Sequence, residues 1–194
     1  MRKIPAELDN PIDNQIVKVC ARVAPWFKAW HFTPNHITTL SLGTGLYAAY
    51  LFKQEYYRCA AGLFALSYFF DCLDGYYARK YNMVTTFGDY YDHISDATKF
   101  MVLMVVFYTK CPNFSSYVAI GFLLFFGLMS VHVGCTEQLH DQEDHSPSLS
   151  VFKHLCSNHQ RIHWAKFFGP GTLISITVFI ILYFPQFRNM ACIR

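Results

Sequence analysis

The stretch "DCLDGYYARKYNMVTTFGDYYDHISD", residues 71–96, decides the fold prediction because it puts five aspartates into a chain that is otherwise strongly apolar. Asp71 and Asp74 are three residues apart, and Asp92 and Asp96 are four apart, so each pair shares one face of a helix. A short polar turn between the two pairs predicts that the two helices run antiparallel. We therefore expect both acidic faces to point into one cavity.

Apolar blocks surround this stretch on both sides. Of the 194 residues, 53% are hydrophobic and 15% are charged, whereas soluble domains carry about 25% charged residues. Five blocks are long enough, or nearly so, to cross about 30 Å of hydrocarbon as helices. They lie at residues 34–53, 57–79, 87–109, 115–136 and 165–185. The sequence thus predicts an all-α integral membrane protein, a bundle of five to six transmembrane helices, whose sixth helix would have to lie in the polar link 137–164.

A different pattern precedes the bundle at residues 11–32. Apolar and aromatic residues recur there every three or four positions, with basic residues between them. This periodicity predicts an amphipathic helix that lies in the membrane interface. We therefore interpret residues 1–194 as one membrane domain, in which an interfacial helix at 11–32 is followed by a transmembrane bundle at 34–185.

The distribution of basic residues predicts an orientation in the membrane. With the N-terminus in the cytoplasm, ten Lys and Arg residues fall on the inner side and five on the outer side, which is the usual bias. Residues 71–96 would then face the cytoplasm. The polar first residues contain no apolar core of a cleavable signal peptide. We expect the endoplasmic reticulum or a bacterial inner membrane as the location.

Two features of the composition exclude other classes of protein. The net charge of only +3 gives no reason to expect a nucleic-acid partner. The seven cysteines are an odd number, and most of them lie in apolar runs. We expect them to be small buried side chains rather than a disulfide framework.

The aligned carboxylates predict a metal site. Like charges repel one another, and the cluster becomes tolerable if cations lie within it. Oxygen ligands in a wet cavity suit Mg²⁺ or Mn²⁺ rather than zinc, and two such ions about 4 Å apart can clamp a phosphoryl group. Gly75, Ala78 and Gly88 would admit a ligand close to the backbone, and Arg79 can donate paired hydrogen bonds to phosphate. The combination predicts a diphosphate site with two divalent ions.

The spacing of these residues matches a known signature in full. It follows the pattern D-x2-D-G-x2-A-R-x8-G-x3-D-x3-D, whose eight fixed positions are here Asp71, Asp74, Gly75, Ala78, Arg79, Gly88, Asp92 and Asp96. On these residues the chain resembles the CDP-alcohol phosphotransferase family. The signature covers 26 residues, and looser similarity extends over the helical layout and over "TPNHIT" at 33–38.

The resemblance implies a fold, a reaction and a set of roles. The fold would be a bundle of six membrane helices that forms a homodimer. The reaction would move a substituted phosphate from a CDP-linked alcohol to a second alcohol and release CMP. By position, Asp71, Asp74 and Asp92 would hold the metal ions, and Asp96 would be the general base that also contacts a metal. The CDP site would be lined by Gly75, Ala78, Arg79 and Gly88, with Asn35 near the nucleotide.

The substrate class stays open between two interpretations. The short single-module chain favours a phospholipid-synthesis enzyme that transfers a phosphatidyl group from CDP-diacylglycerol to a small polar alcohol. His93 favours transfer from CDP-choline or CDP-ethanolamine to diacylglycerol, because a histidine occupies this place in the similar segment of choline and ethanolamine phosphotransferases. A transporter or channel with a carboxylate-lined path, or an inactive scaffold, would be alternatives from other classes. Asp89 lies outside the signature, and we expect a helix-start carboxylate rather than a metal ligand.

Overall fold

A computed structural model describes residues 5–139, 149–156 and 162–191, and this part of the chain is helical without strands. The helices are α1 (Pro11–Ala29), α2 (Pro34–Lys53), α3 (Tyr57–Lys80), α4 (Thr86–Lys110), α5 (Pro112–Leu139), α6 (Ile162–Ala165) and α7 (Pro170–Ala191), with 3₁₀ turns at Ser150–Leu155 and Lys166–Phe168. The all-α prediction is confirmed. Much of the link 137–164, where a sixth span would have to lie, falls outside the described residues.

Local sequence signals fix the ends of the helices around the carboxylates. The Thr33 hydroxyl accepts a hydrogen bond from the His36 amide, and the His36 ring accepts one from the Thr33 amide, so a reciprocal cap starts α2. The Thr85 hydroxyl accepts from the Gly88 amide (3.0 Å) and starts α4. After α3, Asn82 adopts a left-handed conformation (φ 54°), which asparagine tolerates better than most residues. The chain therefore turns back within a short segment, as predicted.

Helix α2 lies at the centre of the carboxylate region and packs against both α3 and α4. The Ser41 hydroxyl donates to the Ser67 carbonyl (2.9 Å), and the Ser67 hydroxyl donates to the Ser41 carbonyl (2.8 Å), which joins α2 to α3. Small residues of this kind let helix backbones approach closely. Among the described residues, α3 and α4 make few close backbone approaches to each other. Helix α2 thus bridges the two acidic helices, which also contact each other directly through the rings of Phe64 and Phe100, 5.8 Å apart between centroids.

An aromatic cluster closes the bundle near the end of α2 that is remote from its N-terminal cap. The ring of Phe52 lies 4.6 Å from that of Phe107 and 5.0 Å from that of Phe184, between centroids. All three side chains are fully buried. These tilted and edge-on contacts are the favourable arrangements of aromatic pairs, and they tie α2, α4 and α7 together.

Two helical stretches among the described residues are long and apolar enough to cross a membrane, Ser116–Gln138 and Ile162–Arg188. Helices α2, α3 and α4 have 20, 24 and 25 residues, which corresponds to at least about 30 Å each at the usual rise per residue. Helices α3 and α4 each carry five charged side chains, whereas α2, α5 and α7 each carry one. The described structure is consistent with a membrane protein.

The last predicted span begins later in the structure than the sequence suggested. The sequence predicted one helix over 165–185, but α6 and a 3₁₀ turn come first and α7 begins at Pro170. Gly169 is extended (φ −69°, ψ 171°), because the ring of a proline drives the preceding residue out of the helical region. Helix α7 then continues to Ala191, beyond the predicted end.

The expectation about the cysteines was wrong for part of the set. A disulfide joins Cys135 to Cys156, and Cys111 is also disulfide-bonded. The free cysteines among the described residues are Cys20, Cys59 and Cys72. A Cβ on Gly134 would collide with the Phe152 carbonyl oxygen, so the end of α5 and the 3₁₀ turn pack in close contact. This tertiary packing, which the spacing of the cysteines does not reveal, brings the two sulfurs together.

Buried polar groups fasten α1 to the start of α7. The Asn10 amide donates to the Lys166 carbonyl (2.7 Å) and to the Thr172 hydroxyl (2.8 Å). One oxygen of Asp13 accepts from the Tyr68 hydroxyl (2.6 Å), and the other accepts from the Gly171 amide (3.3 Å). Burial raises the pKa of the Asp13 carboxyl from 3.8 to about 6, although both hydrogen bonds oppose this shift.

This raised pKa predicts a pH-dependent stability. Because folding raises the pKa of Asp13, its contribution to the unfolding free energy is fully present below about pH 3.8 and is lost as the pH rises through about 6; the total is about 3 kcal/mol. We expect Asp13→Asn to flatten the pH dependence of thermal unfolding in detergent between pH 4 and 7. Glu7→Gln, which removes an exposed carboxylate, should leave that dependence unchanged. Equal slopes in wild type and Asp13→Asn would contradict this role of Asp13.

Candidate metal and phosphate site

Three of the predicted carboxylates lie together between α3 and α4. Asp71, Asp92 and Asp96 each offer an oxygen atom, and these atoms all lie within 4.8 Å of one another. Asp71 comes from α3 and the other two from successive turns of α4, as the four-residue spacing of Asp92 and Asp96 predicted. Such a group is close enough for its oxygens to share cations.

The fourth predicted carboxylate, Asp74, lies outside this group and is held by α2. The hydroxyl of Thr38 donates to Asp74 Oδ2 over 2.6 Å. Both residues are buried, with exposed fractions of 4% for Asp74 and 2% for Thr38. A hydroxyl that donates to a carboxylate favours its charged form and fixes which oxygen remains for another partner.

A lysine that the sequence did not mark as part of the site lies against the carboxylates. Lys99 is one turn after Asp96 on α4 and is only 5% exposed. Its ammonium group donates to Asp96 Oδ1 (2.6 Å), to Asp71 Oδ1 (3.3 Å) and to the Ser41 hydroxyl (2.7 Å). The signal that could have revealed it is an ionisable residue inside an apolar helix, which is a functional candidate by default.

An oxygen of Asp92 is available for a further ligand. Asp92 Oδ1 is buried and has no hydrogen-bond partner among the described residues. Buried polar atoms are nearly always satisfied, and an unsatisfied carboxylate oxygen beside two other carboxylates fits a cation better than it fits an apolar neighbour. Oxygen donors of this kind suit Mg²⁺ or Mn²⁺. The residues present therefore fit the predicted metal.

The predicted nucleotide-binding residues fall into two close pairs. A Cβ on Gly75 would come within 3.3 Å of the Arg79 guanidinium, so the Arg79 side chain lies back along α3. A Cβ on Gly88 would come within 3.3 Å of Asn35 Oδ1, so the starts of α2 and α4 meet there. Ala78, which lies between these glycines in the sequence, is a partly exposed residue of α3. The structure thus brings Asn35, the residue farthest away in sequence, next to the signature.

Asp89 and His93 interact with each other. The His93 Nδ1 atom lies 2.7 Å from the Asp89 backbone oxygen and 3.7 Å from its carboxylate. Asp89 is not part of the group formed by the three carboxylates. This geometry agrees with the expectation that Asp89 is a helix-start carboxylate.

The Thr38 hydroxyl provides a test of the site's supporting contacts. We expect Thr38→Val to reduce divalent-metal affinity about 10- to 100-fold, because a polar group that orients a metal ligand has an effect of this size. The measurement is a Mn²⁺ titration of purified protein. Thr44→Val is the matched control, since the Thr44 hydroxyl donates to the Leu40 carbonyl of its own helix. Unchanged affinity in Thr38→Val would show that the hydroxyl does not orient Asp74 for a metal.

Comparisons with known proteins identify a family and a curated relative. A family model described as CDP-alcohol phosphatidyltransferase matches residues 31–193. A CDP-diacylglycerol–glycerol-3-phosphate 3-phosphatidyltransferase of Rickettsia felis (strain ATCC VR-1525 / URRWXCal2) is 38% identical over 66 residues. This match covers 32% of the chain and 36% of the relative, so the chain spans about a third of the length of the relative it matches. No solved structure matches the chain.

Proposed function

Because the chain belongs to the CDP-alcohol phosphatidyltransferase family, we propose that it transfers a substituted phosphate from a CDP-linked donor to an alcohol and releases CMP. The match over residues 31–193 confirms the family identified from the signature. The observation that carries the proposed reaction is the group of three carboxylates, in which Asp92 Oδ1 has no hydrogen-bond partner among the described residues.

The carboxylates would hold two divalent ions, Mg²⁺ or Mn²⁺. Asp71, Asp74 and Asp92 are the proposed ligands, and Asp96 is shared between metal binding and proton transfer. When bound, the ions supply positive charge that stabilises the diphosphate and the departing CMP. The Thr38 hydroxyl donates a hydrogen bond to Asp74 Oδ2 over 2.6 Å and thereby orients this carboxylate.

Asp96 is the proposed general base. It takes the proton of the acceptor hydroxyl as the acceptor oxygen forms its bond to phosphorus. The bond between that phosphorus and the CMP oxygen breaks, and CMP leaves with the electron pair. Because water could attack in the same way, the site has to admit the acceptor while it limits water.

The nucleotide end of the donor would bind across the starts of α2 and α4 and the end of α3. Arg79 can donate two parallel hydrogen bonds to a phosphate. The absent side chains of Gly75 and Gly88 let Arg79 and Asn35 approach the helix backbones closely, and Ala78 adds a small side chain. These five residues are the proposed CDP site.

For the donor we propose CDP-diacylglycerol, with a small polar alcohol as acceptor. The activity for which the Rickettsia relative is named supports this choice. Transfer from CDP-choline or CDP-ethanolamine, which His93 suggested, is less favoured, since the Rickettsia relative is named for transfer from CDP-diacylglycerol.

The five long helices α2, α3, α4, α5 and α7 are proposed to span the bilayer. Helix α1 would lie in the interface, since Trp26 and Trp30 at its end are 65% and 68% exposed and suit headgroup depth.

The bias of the basic residues supports a cytoplasmic site in the endoplasmic reticulum or a bacterial inner membrane. The Cys135–Cys156 disulfide opposes this orientation, because disulfides are rare in the cytosol, whereas the basic residues that favour it are spread along the chain. A homodimer is proposed from the family resemblance.

The experiment that tests the donor class offers CDP-diacylglycerol and CDP-choline in parallel. Purified protein in lipid receives Mg²⁺ or Mn²⁺ and a panel of acceptors that includes glycerol 3-phosphate, inositol, serine and diacylglycerol. The lipid product is identified by mass spectrometry. A phosphatidyl product from CDP-diacylglycerol supports the proposal, whereas a product from CDP-choline alone would replace the donor that we propose.

A further inference from the structure

The position of Lys99 requires an explanation beyond the proposed roles of the carboxylates. A lysine is almost never fully buried unless it is paired, and this one is only 5% exposed. Its ammonium contacts two different carboxylates and one hydroxyl, and these partners come from α4, α3 and α2 respectively. The positive charge of Lys99 therefore lies where α2, α3 and α4 meet.

The backbone of α2 is shaped to admit the Lys99 side chain. A Cβ on Gly45 would lie 2.6 Å from Lys99 Cδ and 2.8 Å from the Ser67 hydroxyl, closer than real Cβ atoms approach other atoms. Only glycine leaves this path open. A Cβ on Gly43, two residues earlier on the same helix, would meet no atom within 4 Å. The requirement for glycine is thus local to the path of Lys99.

We propose that Lys99 is a resident cation of the carboxylate group, which holds Asp71 and Asp96 and competes with divalent ions for these two side chains. The proposal deepens the proposed function, because it rests on the same carboxylates binding metal. Lys99 is a positioning residue: it acts on the proposed base and on a proposed metal ligand and need not touch the substrate.

The charges give this competition a direction. An ammonium within hydrogen-bond distance of two carboxylates offsets part of their charge and repels an incoming dication. Metal ions should therefore bind more weakly on the side of Asp71 and Asp96 that Lys99 occupies than beside Asp92, whose Oδ1 has no partner among the described residues. In the absence of metal, the same ammonium should stabilise the fold, since removing one partner of a buried ion pair leaves an uncompensated charge.

The test is a Mn²⁺ titration of the full-length protein in detergent, after metal is removed with EDTA and the EDTA is washed out. Free Mn²⁺ is measured by electron paramagnetic resonance for wild type and for Lys99→Met, which keeps an unbranched side chain of similar length and removes the charge. We expect the weakest Mn²⁺ ion to bind at least tenfold more tightly to Lys99→Met, or one additional ion to bind. In EDTA, Lys99→Met should melt at a lower temperature than wild type, and Mn²⁺ should raise its melting temperature more.

A second pair of variants keeps the test valid if Lys99→Met does not fold. Gly45→Ala retains the lysine but obstructs its path, and we expect tighter Mn²⁺ binding than in wild type, by a smaller factor. Gly43→Ala is the matched control and should bind Mn²⁺ as wild type does. Equal or weaker Mn²⁺ binding in folded Lys99→Met, or in Gly45→Ala if the former does not fold, would overturn the proposal.

The readout is independent of the transferase reaction, because no CDP-linked compound is present. A shift in Mn²⁺ affinity without any CMP release would support the role of Lys99 and count against the proposed function. CMP release by wild type in the separate activity assay, with unchanged Mn²⁺ affinity in the variants, would support the proposed function and count against the role of Lys99.

Discussion

Replacing Asp96 with asparagine is expected to lower the rate of CMP release about 1,000-fold, because a positioned general base contributes about 10²- to 10⁴-fold to a rate. An asparagine has nearly the shape of the aspartate but cannot accept the proton of the acceptor hydroxyl. The fold should persist, since Lys99 keeps its contacts with Asp71 and with the Ser41 hydroxyl. The measurement is the initial rate of CMP formation under saturating Mn²⁺.

Asp89→Asn is the matched control for this prediction. It removes a carboxylate from the same helix, but Asp89 lies outside the group of three carboxylates. Its CMP release should stay within a few-fold of wild type. If Asp96→Asn retained a tenth or more of the wild-type rate, or if both variants lost activity equally, Asp96 would not be the base.

Replacing Asp92 with asparagine is expected to change metal binding and stability in opposite directions. Mn²⁺ affinity should fall at least about 100-fold, because the variant loses a ligand, and even a residue that only orients a ligand changes affinity 10- to 100-fold. In EDTA, however, the variant should melt at a higher temperature than wild type. The reason is that the partly buried Asp92 carboxylate lies beside Asp71 and Asp96, and like charges at such distances are unfavourable.

Opposite changes of this kind are the mark of a group kept for function at the expense of stability. The two readouts are a Mn²⁺ titration and a thermal melt in EDTA, and Asp89→Asn again serves as the control. A lower melting temperature in EDTA, together with unchanged Mn²⁺ affinity, would assign Asp92 a purely structural role.

The sequence predicted the helices and the carboxylate group for two physical reasons. Apolar blocks of 20 or more residues leave few alternatives to helices, and aspartates three and four residues apart must share a helical face. Because only a short turn separates the two acidic pairs, the acidic faces of α3 and α4 were expected to point into one cavity. Asn35 was recognised through its resemblance to the family rather than through its spacing, and the structure puts it beside Gly88.

Other features depend on contacts between helices and could not be predicted from local patterns. Lys99 is buried because Ser41 and Gly45 of α2 receive it. The sequence of α4 marks an ionisable residue in an apolar helix but does not reveal these partners. The Cys135–Cys156 bond depends on how the end of α5 meets a 3₁₀ turn. The late start of α7 could have been predicted from the sequence. Pro170 disfavours a helical conformation at Gly169, but the continuous apolar run made one long helix look more plausible.

Metal-dependent release of CMP by the carboxylate group can be followed as a time course with purified protein in lipid. The reaction contains CDP-diacylglycerol, glycerol 3-phosphate and Mn²⁺, and it is run beside Asp96→Asn and an EDTA-treated sample. We expect steady CMP formation by wild type and almost none in the other two. Absence of CMP from folded wild-type protein that binds Mn²⁺, with CDP-choline and diacylglycerol as well as with CDP-diacylglycerol and each small alcohol, would contradict the proposed reaction.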